Sequence, residues 1–220
     1  MKNILVKLWK SLPFKMRYKI DIMRRFPTWK KHNVIFIHVP KAAGVSVNKA
    51  IYGSSLGHFY AKDIQSMYPK TFNDIYTFSV VRHPIDRLYS AYCFSRKGGT
   101  NEMGMHNYKN YICNPDFISF ERFIRGWLID QDLKKIDGVF RPQYLYLYDK
   151  KNNLLVNDVY KLEDIENYFD EISKKLGRPF SIGHHNKSEK EKINISTDLK
   201  ELIYKLYNKD FELLRYLKEY

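Results

Sequence analysis

Cysteine is nearly absent: Cys93 and Cys113 are the only two in 220 residues. They form no C-x-x-C pair and stand in no Cys/His ligand spacing, so a zinc ribbon or finger is excluded. At most one disulfide is possible, and reduced thiols in a cytosolic protein are the expectation. No apolar run approaches the length that crosses a bilayer. Lys7, Lys10, Lys15 and Arg17 interrupt the first apolar residues, so a signal-peptide core is missing. The chain is therefore expected in the cytoplasm, where it is made. It has no internal repeat and no low-complexity segment. No cluster of metal-ligating side chains is visible, and no metal is expected. The pattern G-x-x-x-x-G-K-[ST] is also missing, which counts against an ordinary ATPase or kinase.

Hydrophobic residues make up 44% and aromatics 16%, including 18 Tyr and 14 Phe. That composition is globular, and the length suits one domain with a large core. The net charge of +14 implies polyanionic company: nucleic acid, acidic lipid, an acidic glycan or a phosphorylated nucleotide. The charge is uneven. Residues 1–33 carry ten Lys or Arg against the single acid Asp21, and so hold +9 of the total. The rest is only mildly basic, which argues against a nucleic-acid groove. Residues 1–26 read as one or two amphipathic helices broken at Pro13. Their basic face with Trp and Leu nearby suits peripheral contact with the inner face of a membrane, and equally a helix packed on the domain with its basic face solvated. Pro27 and its basic neighbours suggest a division into a basic segment, 1–32, and a domain, 33–220.

Val34–Ile37 is an apolar, β-branched run suited to a strand buried on both faces of a parallel sheet. The chain then breaks at Pro40, passes Lys41 and small residues, and becomes helical in pattern from about Val45 to Tyr52. A strand, a small-residue turn and a helix start aim several backbone N–H groups at one point, a ready anion site. Lys41 adds a cation at its rim. A second unit follows: Ile75–Val81 reads as a strand ending at Arg82-His83-Pro84, and Asp86–Arg96 as a helix. Arg82 is placed to clamp a phosphate and Ser90 to donate a hydroxyl. Ligands of parallel sheets collect at this edge. Further on, Asp63–Met67 reads as a short helix and Phe117–Leu128 as a longer one. Tyr144–Tyr148 reads as a strand, 149–153 as a turn, and Leu154–Leu162 as an extended segment. Helices are predicted over Asp164–Leu176, ended by Gly177, and from Thr197 as N-cap to about Tyr216. The fold class is α/β: three layers, a parallel sheet with helices on both faces, and a P-loop-like turn for phosphosulfate.

The run Phe36-Ile37-His38-Val39-Pro40-Lys41-Ala42-Ala43-Gly44-Val45-Ser46, with Phe78-Ser79-Val80-Val81-Arg82-His83-Pro84-Ile85-Asp86-Arg87-Leu88-Tyr89-Ser90 downstream, resembles the two nucleotide motifs of sulfotransferases that use 3′-phosphoadenylyl sulfate. The resemblance is nearest to their carbohydrate branch, including uronosyl 2-O-sulfotransferases. It spans roughly residues 33–216 in order of elements and is specific in the two motifs. It implies that Lys41, Ala42, Ala43, Gly44, Val45 and Ser46 bind the 5′-phosphosulfate, and that Arg82 and Ser90 bind the 3′-phosphate. Lys187 and Ser188, in a loop similar to one that closes over the nucleotide, are further contacts. Two departures stand out: Val45 replaces a usual Thr or Ser, and His83 a usual Asp. Among His38, His58, His83, His106, His184 and His185, the segment Gly57-His58-Phe59-Tyr60 resembles the one carrying the catalytic base, with Leu56 where a second His is usual. His58 is thus the expected base and His38 the runner-up. The acceptor would be a carbohydrate, an acidic capsule or lipopolysaccharide sugar, with Arg141 and Gln143 as candidate contacts. The competing reading is a basic membrane- or nucleic-acid-associated binding protein without catalysis, which has no need of Arg82 and Ser90 after a strand. A kinase of unusual type would respond to ATP and Mg²⁺.

Overall fold

Apolar residues on both sides of Val34–Ile37 put this strand, β1, at the middle of two cores rather than at one surface. All four of its residues are buried. Ile35 and Ile37 face one core, while Val34 and Phe36 face the other. The computed structural model describes residues 9, 11–99, 111–183 and 195–218. β1 pairs in parallel with β2 (Tyr76–Val81), and β2 with β3 (Asp158–Lys161), giving the order β1-β2-β3. The register sets Ile37 opposite Ser79 and Val81 opposite Lys161, so the three strands end along one edge. Buried Ser79 ties that edge together by donating its hydroxyl to the Ile37 carbonyl at 2.7 Å.

One face of the sheet is covered by α2 (Gly44–Tyr52) through Val47 and Ile51, with Ile165, Ile172 and Phe180 beside them. The other carries the larger core. It takes Ile22 and Trp29 from α1 (Phe14–His32), Ile64 from α3 (Ala61–Met67) and Phe72 from α4 (Pro69–Asp74). Ile85, Leu88 and Ala91 come from α5 (Pro84–Arg96), and an aromatic block of Phe117, Phe120, Phe123 and Phe140 completes it. The α/β class and the parallel sheet agree with the sequence reading.

Several elements differ from expectation. Pro27 does not end the first helix: α1 runs through it to His32. Side chains on either side hold the helix across that point, Phe26 stacking on Tyr68 at 3.6 Å and Trp29 meeting Phe59 edge-on at 5.7 Å. Tyr144–Leu147 is a helical turn, α6, not a strand. The alternation of Tyr and Leu there is overridden by buried Asp210, whose carboxylate accepts the backbone N–H groups of Gln143 and Tyr144, both at 2.9 Å. The predicted helix over Phe117–Leu128 is broken into short 3-10, α and π turns spanning Pro115–Asp130. Asp164–Leu176 starts as a 3-10 turn and becomes α-helical only at α7 (Phe169–Leu176), which does end at Gly177. The last helix is N-capped by Ser196 rather than Thr197, and Tyr207 divides it into α8 (Thr197–Leu206) and α9 (Asn208–Leu213). Cys93 and Cys113 are both free. Among the described residues no helix is long and apolar enough to cross a membrane.

Candidate active site

The turn between β1 and α2 is built on two residues in the left-handed region. Lys41 has φ 67° and Ala43, the N-cap of α2, has φ 56°. Non-glycine residues rarely adopt this backbone, and it costs of order 1–3 kcal/mol where the surroundings impose it. What it achieves here is a sharp entry into α2. The N–H groups of Gly44, Val45 and Ser46 form the first turn of that helix and have no partner within it. The N–H of Val47 already closes on the Ala43 carbonyl at 3.2 Å. Gly44 is fixed by a close approach: a Cβ there would lie 1.8 Å from Cδ2 of His38. The ring of His38 thus rests against the helix start, almost wholly buried, and its Nδ1 has no hydrogen-bond partner within bonding distance among the described residues.

Asn48 connects this turn to the segment carrying His58. It is buried on α2, donates from Nδ2 to the Gly44 carbonyl at 2.7 Å, and accepts the Leu56 N–H on Oδ1 at 3.4 Å. Gly57, at φ 99°, then swings the chain so that the His58 ring lies over His38, centroids 4.0 Å apart. Nδ1 of His58 is 3.1 Å from the His38 carbonyl. A carbonyl only accepts, so Nδ1 carries the proton and Nε2 holds the free lone pair. His58 is solvent-exposed. Its pKa is nevertheless lowered, first by desolvation and then by the charge of Lys41, while the bond to His38 opposes both. Burial pushes His38 much further down, and His58 adds to that.

Lys41 reaches across to the second unit. Its Nζ lies 4.3 Å from the ring centroid of Phe94 on α5. Burial, and after it the guanidinium of Arg82, lower its pKa to about 8. Two strand ends, Lys41 after β1 and Arg82 after β2, therefore place cations in one electrostatic neighbourhood. No ion pair with a carboxylate engages either side chain among the described residues. Two neighbouring cations with no carboxylate ion pair among the described residues, beside amides that have no partner within their helix, fit a ligand with several negative charges. Ser90 is half-buried within α5, the helix that follows Arg82.

The remaining candidates fall elsewhere. Gln143 is fully buried, and its amide is spent on the backbone of Arg82. Arg141 donates to the carbonyls of Ile136 and Lys135 and to the Tyr60 hydroxyl. In these bonds both side chains brace other segments of the chain. The ring of His83 packs edge-on against Phe211 and Tyr216, at 5.6 and 5.3 Å. Its backbone N–H donates to Glu163 at 2.6 Å. Lys187 and Ser188, with His106, His184 and His185, lie outside the described residues. Asn48 and the bracing role of Gln143 were not anticipated. Both act across long chain separations, and no local spacing announces them. Among the described residues no group of three His, Cys, Asp or Glu side chains is placed to hold a metal.

Comparison with known families gives one result: the model of the sulfotransferase family matches residues 24–217. That range holds both strand-turn-helix units, His58 and the helices that close the larger core. No curated protein and no solved structure matches the chain.

Proposed function

The chain belongs to the sulfotransferase family, whose members are enzymes dependent on 3′-phosphoadenylyl sulfate, and on that premise we propose that it sulfates a hydroxyl group of a carbohydrate with His58 as general base. The observation that carries the assignment of the base is its fixed tautomer: Nδ1 is committed to the His38 carbonyl, which leaves Nε2 open. A lowered pKa keeps the ring neutral near pH 7, the form that can take a proton.

The donor, when bound, supplies an activated sulfuryl group and leaves as a bisphosphate. The protein's part is electrostatic and positional. Amides of Ala43 to Ser46 and the ammonium of Lys41 hold the phosphosulfate end and offset the charge that develops on the leaving oxygen. Arg82 and Ser90 hold the 3′-phosphate, with Lys187 and Ser188 as further contacts. His58 takes the acceptor's hydroxyl proton on Nε2. The carbohydrate acceptor is supported by the likeness of the two motifs and of the His58 segment to the carbohydrate branch. An acidic sugar suits the mildly basic remainder of the chain that holds the site.

Incubating the protein with labelled donor and a panel of acidic and neutral glycans tests this directly. Label transferred to a glycan, together with release of adenosine 3′,5′-bisphosphate, is the expected result. Transfer only to non-carbohydrate hydroxyls, or no donor turnover with any acceptor, would contradict it.

A further inference from the structure

Helix α1 has two faces with different tasks. The inner face packs Ile22 and Trp29 into the core, and Tyr18 accepts the Tyr60 N–H at 3.0 Å, so it braces the segment next to His58. The outer face is apolar where a solvated helix would be polar. Met16, Ile20, Met23 and Pro27 follow one another at spacings of four, three and four residues, which aligns them in a single stripe. Met16 and Met23 are 51% and 55% exposed, and Pro27 is exposed as well. Phe14, at the start of the helix, is 72% exposed. Exposed Lys19 and Lys30 flank the stripe on one side, and exposed Arg24 and Lys31 on the other. The only acid on the helix is Asp21, which sits 3.7 Å from Arg24. Beyond the helix start, the Trp9 ring lies 6.0 Å from the Arg24 guanidinium.

We propose that this face of α1 docks on an anionic lipid bilayer, with Met16, Ile20, Met23 and Pro27 entering the interface and Lys19, Arg24, Lys30 and Lys31 meeting the headgroups. Charge selects the occupant. A stripe of apolar side chains bordered on both sides by cations matches a surface that is negative outside and apolar just beneath. Flexible methionines adapt to such a boundary, and Trp9 beside Arg24 has the amphipathic character that prefers it. The opposite face of the helix is already occupied by the core, so docking leaves the fold intact. The proposal is independent of the sulfotransfer reading.

Vesicle flotation with the full chain tests it, comparing phosphatidylserine-rich vesicles with pure phosphatidylcholine. Binding to the former only is expected. Lys19→Gln with Lys30→Gln should weaken that binding about thirtyfold, and Met16→Ser with Met23→Ser about tenfold or more. Lys150→Gln with Lys151→Gln removes the same charge from an exposed site elsewhere and should leave binding unchanged. Equal loss with that control would mean net charge alone is at work, and would overturn the proposal. So would equal binding to phosphatidylcholine, binding unaffected by the Met substitutions, or a dimer in solution that Met23→Glu dissolves.

Discussion

Gln143 holds Arg82 at both ends of its backbone: Nε2 donates to the Arg82 carbonyl at 2.8 Å, and Oε1 accepts the Arg82 N–H at 3.0 Å. Gln143 is itself pinned, its own N–H donating to buried Asp210. A continuous line of buried polar contacts thus runs from α9 to the residue proposed to grip the 3′-phosphate.

Substituting Gln143 by Leu strands the two polar groups of Arg82. A buried group left without its partner costs about 1–3 kcal/mol. We expect the affinity for adenosine 3′,5′-bisphosphate to drop about tenfold or more, with binding of adenosine 5′-phosphosulfate, which lacks the 3′-phosphate, little changed. Calorimetric titration of both ligands distinguishes this from general loosening, which would weaken both alike.

His58→Ala removes the free Nε2 without touching either phosphate contact. Turnover should fall about 10²–10⁴-fold, while adenosine 3′,5′-bisphosphate binds as before. A near-normal rate would remove His58 from the mechanism and return attention to His38.

The pH dependence has a definite sign. His58 acts as a base only when neutral, and its pKa lies below the usual imidazole value, so kcat/KM should rise through mildly acidic pH and level off before neutrality. Lys41 works only when charged, and its pKa is about 8, so kcat/KM should decline as pH rises through that value. Lys41→Arg should abolish the alkaline decline, because guanidinium stays protonated there. An alkaline limb unchanged in Lys41→Arg would assign it to another group.

Gly44→Ala drives a methyl group into the His38 ring. Such overpacking costs typically about 1–3 kcal/mol, which for a chain of this size lowers Tm by roughly 2–4 °C per kcal/mol. His38→Ala in the same molecule opens the space again. The double variant should be more stable than the sum of the two single losses, the signature of a direct contact.

The parts of this molecule that were legible in advance are those whose cause is local. β1 is a continuous apolar run and β2 a β-branched and aromatic one because each is buried on both sides, and the turns after them break at Pro40 and Pro84. α2, α5 and the end of α7 at Gly177 followed from periodicity and helix punctuation. The failures have a different cause. Tyr144–Leu147 alternates like a strand, yet Asp210, far along the chain, gathers its first amides into a helical turn. Pro27 reads as a breaker, and only the packing of Phe26 and Trp29 carries α1 past it. Gln143, which braces the Arg82 backbone, was likewise not legible in that role. Its burial and its bond to Arg82 depend on where α9 comes to rest. His58 could be singled out by resemblance, but the carbonyl that sets its tautomer belongs to His38, twenty residues earlier, and no spacing rule joins the two.

Lys41 and Arg82 are proposed to serve one nucleotide. Calorimetric titration of the wild-type protein and of Arg82→Ala with adenosine 3′,5′-bisphosphate and with adenosine 5′-monophosphate measures this most directly. The wild type should prefer the bisphosphate by about tenfold or more, the usual scale for a charge-assisted phosphate contact, and Arg82→Ala should lose most of that preference. An undiminished preference in Arg82→Ala, or no binding of the bisphosphate to the wild type, would contradict it.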